Sequence, residues 1–325
     1  NGSLSNTGDY TTDAFKNIKN DAIFTIFTDE TFTISSTGVT AEKYSYHIIG
    51  TSIAADAFKD QTDLLSVDIS DSVTDISNNA FEGTTNMTSC TFTVTSTLAT
   101  IGQYGFYKSG LLSINIPDSV SSIGQYAFGK DQAVTRTSLT SCTLPNNNND
   151  FKIIPNYCFH YSGLTSITIP NTVISIGEYA FTGATMTSCT FTANSSLETI
   201  SNDSFKWTGL TSITIPNSVS SIGQYAFYGN NSLTSCTLPT NPDFKIIDQL
   251  CFSACTKLTS ITIPNTVTAF NWAPFRDCSA LNDITFHKYP GDNTSNTIID
   301  LNGSLSNTGD YTTDAFKNIK NDAIF

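Results

Sequence analysis

Basic residues are scarce in this chain. Fifteen Lys and Arg stand against 28 Asp and Glu in 325 residues, a formal charge of −13 with a pI near 4.4, and only 13% of the residues are charged. Phosphate attraction needs clustered Lys and Arg, so nucleic acid is excluded as a main partner. Strong helix formers for exposed faces are equally short, because 50 Thr, 39 Ser and 29 Asn fill over a third of the positions. That composition excludes an all-α protein. No apolar run approaches the roughly 18 to 20 residues that cross a bilayer. Position 1 is neither Met nor part of a basic, hydrophobic leader, so the expectation is a soluble segment taken from inside a longer protein, with no membrane span in it.

Motifs that carry chemistry are missing as well. The three histidines, His47, His160 and His287, stand in unrelated contexts. None belongs to an HExxH, a Cys-His zinc spacing or a triad, and a lone His is usually a surface or satisfied residue. GxSxG, a GxGxxG after a strand, and GxxxxGK[ST] are absent, so acyl transfer, dinucleotide binding and Walker-type phosphate binding lack their loops. No catalytic residue, cofactor or metal ligand is assigned, and the chain is not expected to be an enzyme. Calcium is the one ion with any candidate ligands, since Asp63, Asp68, Asp71 and Asp75, or Asp292, Asn293, Asn296 and Asp300, are oxygen-rich. Neither stretch has the DxDxDG loop, and a solvated acidic edge is the preferred reading.

What the chain has is repetition, on two scales. Asn1 to Phe24 and Asn302 to Phe325 are identical over 24 residues at an offset of 301. The plain reading is a duplicated terminal segment. The sharper and preferred one makes residues 1–301 one unit of a tandem array and 302–325 the start of the next, each unit carrying −12. Neither end shows the polar cap that a stacked-repeat protein needs.

The short period is 22 to 25 residues, clearest in Leu164 to Phe181 (LTSITIPNTVISIGEYAF) and Leu210 to Phe227 (LTSITIPNSVSSIGQYAF). Its Phe recurs at Phe15, Phe58, Phe81, Phe106, Phe128, Phe159, Phe181, Phe205, Phe227, Phe252, Phe275 and Phe316. Two gaps of about 40 residues are expected to hold degenerate coils, one around Phe32 and Ile34, the other around Ile298, Ile299 and Leu301. Twelve or thirteen coils per unit follow, regular over 64–281 and irregular over 1–63 and 282–301.

Within a coil, Leu164, Ile167 and Ile169 alternate with Thr165, Ser166 and Thr168, which predicts a short strand with one buried and one wet face. Pro170-Asn171 ends it, as do Pro117-Asp118, Pro216-Asn217 and Pro264-Asn265. Val173 and Ile176 then point back to the core, Gly177 permits a tight bend, and Ala180-Phe181 sets a small residue beside a ring. Stacked laps would pair their strands in a parallel sheet and pile the rings into a spine, Phe81 to Phe275 in the regular part. The fold class is therefore mainly β, a solenoid with short turns.

Coil type alternates. Cys90, Cys142, Cys189 and Cys236 take the slot that Ile167, Ile213 and Ile261 fill on other rungs. Same-slot cysteines then lie two rungs apart, about 10 Å, too far for a disulfide. Cys158, Cys251, Cys255 and Cys278 occupy other core slots, and all eight are read as buried, unreactive thiols.

LxxIxIPxSVxxIGxxAFxxC is the form these coils share, and it resembles the BspA-like leucine-rich repeats of bacterial and protist surface proteins over about Leu64 to Leu281. The resemblance implies a right-handed solenoid with a parallel sheet on one face and short turns or 3₁₀ segments on another. It also implies display outside the cell as adhesion or surface-layer material, and no catalytic residues.

Outward strand positions repeat as Thr-Ser-x-Thr and supply the candidate contact face: Thr91, Thr143, Thr165, Thr168, Thr190, Thr211, Thr214, Thr237, Thr259 and Thr262. Thr is a good exposed strand residue and duplication copies it, so the rows need no function. A functional face would pack another protofilament or bind glycan. An ice-binding surface is a third and remote reading. The expected function is an extracellular filament of tandem units whose partner is itself. The alternative is a cell-surface adhesin holding a host protein or glycan. Seven Asn-x-Ser/Thr sites, at Asn1, Asn86, Asn194, Asn202, Asn230, Asn293 and Asn302, are no more than composition provides.

Overall fold

In the coil from Leu164 to Met186, every apolar repeat position is buried: Leu164, Val173, Ile176, Ala180 and Phe181 are fully covered, and Ile167 retains 3% of its surface. The computed structural model describes residues 24–26, 34–35, 38–39, 44–131, 139–147 and 149–286. Phe15, Phe316, Asp292 to Asp300, Ile298 to Leu301, His287 and residues 302–325 lie outside them, so the number of coils in a full unit does too.

Each coil has three sides. The first is a strand of three to six residues, as in Ser166–Ile169 or Ser212–Thr214. The second is a two-residue strand such as Ser175–Ile176. The third is a run of turns that ends in the Phe. Long strands pair in parallel with those of neighbouring coils, and short strands do likewise. Register is kept by chemistry: Ile167 lies beside Cys189 and Ile213 beside Cys236, while the outward Ser stay level with Ser. The described residues are all β strands and turns, with no helix among them.

Ten Phe rings, Phe58 to Phe275, form one column. Successive centroids stand 5.0 to 5.6 Å apart with planes within 14° of parallel. Ile coils place a second Ile two residues on, as Ile169 after Ile167, whereas the Cys coils place Phe there at Phe92 and Phe191 and Leu at Leu144 and Leu238.

The turn side departs from a 3₁₀ helix for a definite reason. Two residues before and two after each spine Phe, the backbone usually takes positive φ, as at Tyr179 (56°) and Gly183 (69°). Alternate N–H groups then leave the coil. Those of Tyr179, Phe181 and Gly183 donate to the next coil at Asn202, Ser204 and Lys206, at 2.8 to 3.1 Å, while those of Ala180, Thr182 and Ala184 close local turns. Every backbone donor of the turn finds a partner, which is what permits a buried irregular segment.

Gly177 serves a purpose other than the expected bend. A Cβ there would stand 2.6 Å from the backbone nitrogen of Asn156 and 2.4 Å from its Oδ1. The glycine lets adjacent coils approach, and Asn156 Oδ1 accepts the N–H of Glu178 across that gap at 2.8 Å.

The first edge also differs from expectation. Where a degenerate coil was expected, Ile34–Ser35 pairs antiparallel with Gly38–Val39. Phe24–Ile26 runs antiparallel to Tyr44–Ile48 and covers the outer edge of the long-strand row. The parallel stack therefore does not continue past Tyr44–Ile48 by adding another parallel strand.

Candidate interaction face

Strand geometry sends alternate side chains to opposite faces, so the in-register long strands turn columns of sequence into columns of surface. One outward column runs through His47, Asp68, Thr91, Asn115, Thr143, Thr168, Thr190, Thr214, Thr237, Thr262 and Thr285. Thr91, Thr143, Thr168, Thr190, Thr214, Thr237 and Thr262 of the expected face lie here, all exposed. A second column is Ser from Ser45 to Ser260 and ends in Asp283. From Thr91 to Thr262 these two columns contain no charge.

Thr165, Thr211 and Thr259 sit apart, one residue before each Ser. Their Oγ1 atoms donate to the carbonyls of Thr140, Thr187 and Thr234 on the preceding coil, at 3.3 to 3.4 Å. Those hydroxyl protons belong to the scaffold, so a ligand would find only the acceptor side of each group. Thr168 and Thr190 bond to one another at 2.9 Å. The expected hydroxyl ladder is thus two columns with different duties.

The long-strand row is not continuously paired. Between Ser188–Phe191 and Ser212–Thr214 the coils are joined by Thr211 N–H donating to Thr187 O, and a shallow cleft of about 580 Å³ opens there. Ser188, Thr190, Phe191, Ser212, Thr214 and Pro216 are among its lining residues, none of which is charged. At the first rungs of the face His47 Nδ1 lies 2.8 Å from Asp68 Oδ2, and Asp68 Oδ1 accepts from Thr91 Oγ1 at 2.9 Å.

The first acidic stretch does not converge. Asp68 is on the hydroxyl face, Asp75 is on the short strand beside Ser77 and Thr100, and Asp71 accepts from Thr95 at a corner. Among the described residues no three His, Cys, Asp or Glu side chains come together as a metal site. All eight cysteines are buried free thiols, and burial raises the pKa of each. The Cys255 and Cys278 thiols point to the carbonyls of Phe227 and Phe252 at 3.2 and 3.1 Å.

A second surface column was not anticipated. Tyr104, Tyr126, Tyr157 and Tyr179 stack two residues before their spine Phe, with centroids 4.3 to 5.0 Å apart. Tyr107 and His160 meet them edge-on. Burial, then the neighbouring phenols, push Tyr126 up to about 12, and burial lowers His160. The signal stood in the sequence as Tyr104, Tyr126, Tyr157, Tyr179 and Tyr225 at one offset from Phe. At Asp203, where that column is interrupted, Lys206 pairs with the carboxylate at 2.7 Å and lies over the rings of Trp207, Tyr225 and Tyr228.

The family profile described as "BspA type Leucine rich repeat region" matches residues 51–152 and 152–282, in six copies. Among curated proteins none matches the chain. A leucine-rich repeat protein from Bacteroides ovatus is similar in structure, with a TM-score of 0.50 and 22% identity, over 83% of this chain and 89% of that one. The pneumococcal vaccine antigen PcpA aligns at a TM-score of 0.49 and 17% identity, over 83% of this chain and 81% of its own. A leucine rich cell surface protein from Faecalibacterium prausnitzii aligns at 0.39 and 22%, over 80% and 88%.

Proposed function

The chain belongs to the BspA type leucine-rich-repeat family, and from that premise we propose that it is a structural protein of the cell exterior, a tandem solenoid that packs side by side into a surface filament. The observation that carries this reading is the outward pair of Ser and Thr columns, charge-free from Thr91 to Thr262 on a molecule of net charge −13. Such a strip is where two acidic rods approach with least repulsion and least desolvation of charge. The identity of residues 1–24 and 302–325 supports a 301-residue unit repeated along the polypeptide. Because an antiparallel strand covers the first edge, successive units would be joined by the covalent chain rather than by one unbroken stack of rings.

The test is to place charge in the strip. The triple variant Thr168→Lys, Thr190→Lys, Thr214→Lys should keep its circular dichroism and lose lateral association in negative stain. Bundles that persist in the variant would refute packing through this face. An adhesive role is the second reading, favoured by the uncharged cleft at Phe191 and Pro216, whose polar rim and apolar wall suit a neutral glycan. A glycan array separates the two: selective retention of one neutral glycan by single rods supports adhesion.

A further inference from the structure

Four of the seven Asn-x-Ser/Thr sites lie among the described residues, and their surroundings differ enough to sort them. Asn230 is fully buried. Its Nδ2 donates to the carbonyls of Phe205 and Phe227 at 2.9 and 2.8 Å, and its Oδ1 accepts from Thr208. A sugar on that nitrogen would break the core hydrogen bonds beside the Phe column. Asn202 is half-buried, and its Oδ1 accepts the N–H of Gln224 at 2.9 Å where Gly223 leaves room for nothing larger. Asn86 is exposed, yet its Nδ2 is held by the carbonyl of Thr62 at 2.7 Å, which ties two coils together.

Asn194 has none of these commitments. It is exposed, its side chain makes no hydrogen bond among the described residues, and it stands at φ 57°, a conformation Asn tolerates in turns. Ser196, the third residue of the motif, is exposed too, with its backbone N–H fixed on Asn171 O at 3.0 Å. The asparagine lies on the rim of the uncharged cleft, beside Phe191 and Asn217, which leaves space for a first sugar ring.

We propose that Asn194 is the N-glycan acceptor of these coils when the chain passes through a eukaryotic secretory pathway. The donor is an oligosaccharide carried on a lipid pyrophosphate. The bond from sugar C1 to the pyrophosphate oxygen breaks, one from Asn194 Nδ2 to C1 forms, the amide proton passes to a base, and the lipid pyrophosphate departs. Attachment precedes folding, so structure acts as the filter: a chain modified at Asn230 cannot close its core and is retained, whereas one modified at Asn194 folds.

The experiment secretes the full chain from eukaryotic cells and maps occupied asparagines by glycopeptide mass spectrometry, with and without amidase treatment. Asn194 should be occupied, and Asn202 and Asn230 bare in the folded, secreted protein. Asn194→Gln and, separately, Ser196→Ala should each lose that one glycan while secretion and circular dichroism stay unchanged. Glycan at Asn230 or Asn202 in folded material, a bare Asn194, or occupancy of Asn86 in its place would overturn the proposal.

Discussion

Non-glycine residues at positive φ are the clearest local cost in this fold. Ala254 is held at 59° and Tyr179 at 56°, where an L side chain is strained by about 1 to 2 kcal/mol. They persist because each sends its N–H to the next coil, Ala254 to Arg276 O at 2.7 Å. Ala254→Gly should therefore stabilise the protein by about 1 kcal/mol in urea unfolding, against the usual sense of an alanine-to-glycine change. Phe181→Ala should cost about 3 to 5 kcal/mol, and fluorescence quenching or exchange should place the damage in the adjacent coils. The tyrosine column has a pH signature. An acid whose folded pKa is raised stabilises the fold below its unfolded value and loses that contribution as pH climbs to the folded one. With Tyr126 near 12 and Tyr179 also raised, stability should decline from about pH 10 to 12. Ultraviolet titration of phenolate formation, run beside thermal melts, would check it.

At the level of the coil, the sequence was legible wherever residue type and slot coincide. The alternation of Ile and Cys in the strand slot, the Pro that ends a strand and the spine Phe all state their burial through period and size. The αL positions were only partly legible, because Tyr, Lys, Ala and Leu share them with the Gly, Asn and Asp that favour positive φ. Gly177 was recognised but its cause was misplaced, since the clash that forbids a Cβ comes from Asn156 on another coil and leaves no local trace. Gly177→Ala should cost about 1 to 3 kcal/mol by overpacking at an inter-coil contact, measurable by thermal unfolding. The division of the Thr set was hidden for a similar reason: Thr165 and Thr168 look alike in sequence, and only register shows that the first bonds to Thr140 O.

For the whole rod, two-coil periodicity makes a prediction that a simple stack would not. Removing residues 160–205 takes out two coils and leaves the Cys142 strand facing the Ile213 strand, so the alternation survives. Removing 160–181 takes out one and sets Cys142 against Cys189. The two-coil deletion should melt near the parent, and the one-coil deletion lower, despite losing fewer contacts. The antiparallel first edge belongs to this scale as well. Hydrophobic periodicity marked Ile34 as apolar but could not say whether it pairs in parallel or as a hairpin.

Cryo-electron microscopy of the native assembled material tests the central claim most directly. Rods with about 4.8 Å rungs across the long axis, lying side by side with their Ser and Thr columns in mutual contact, are the predicted result. Isolated rods with that strip facing solvent, or bundles joined through the tyrosine face, would contradict it.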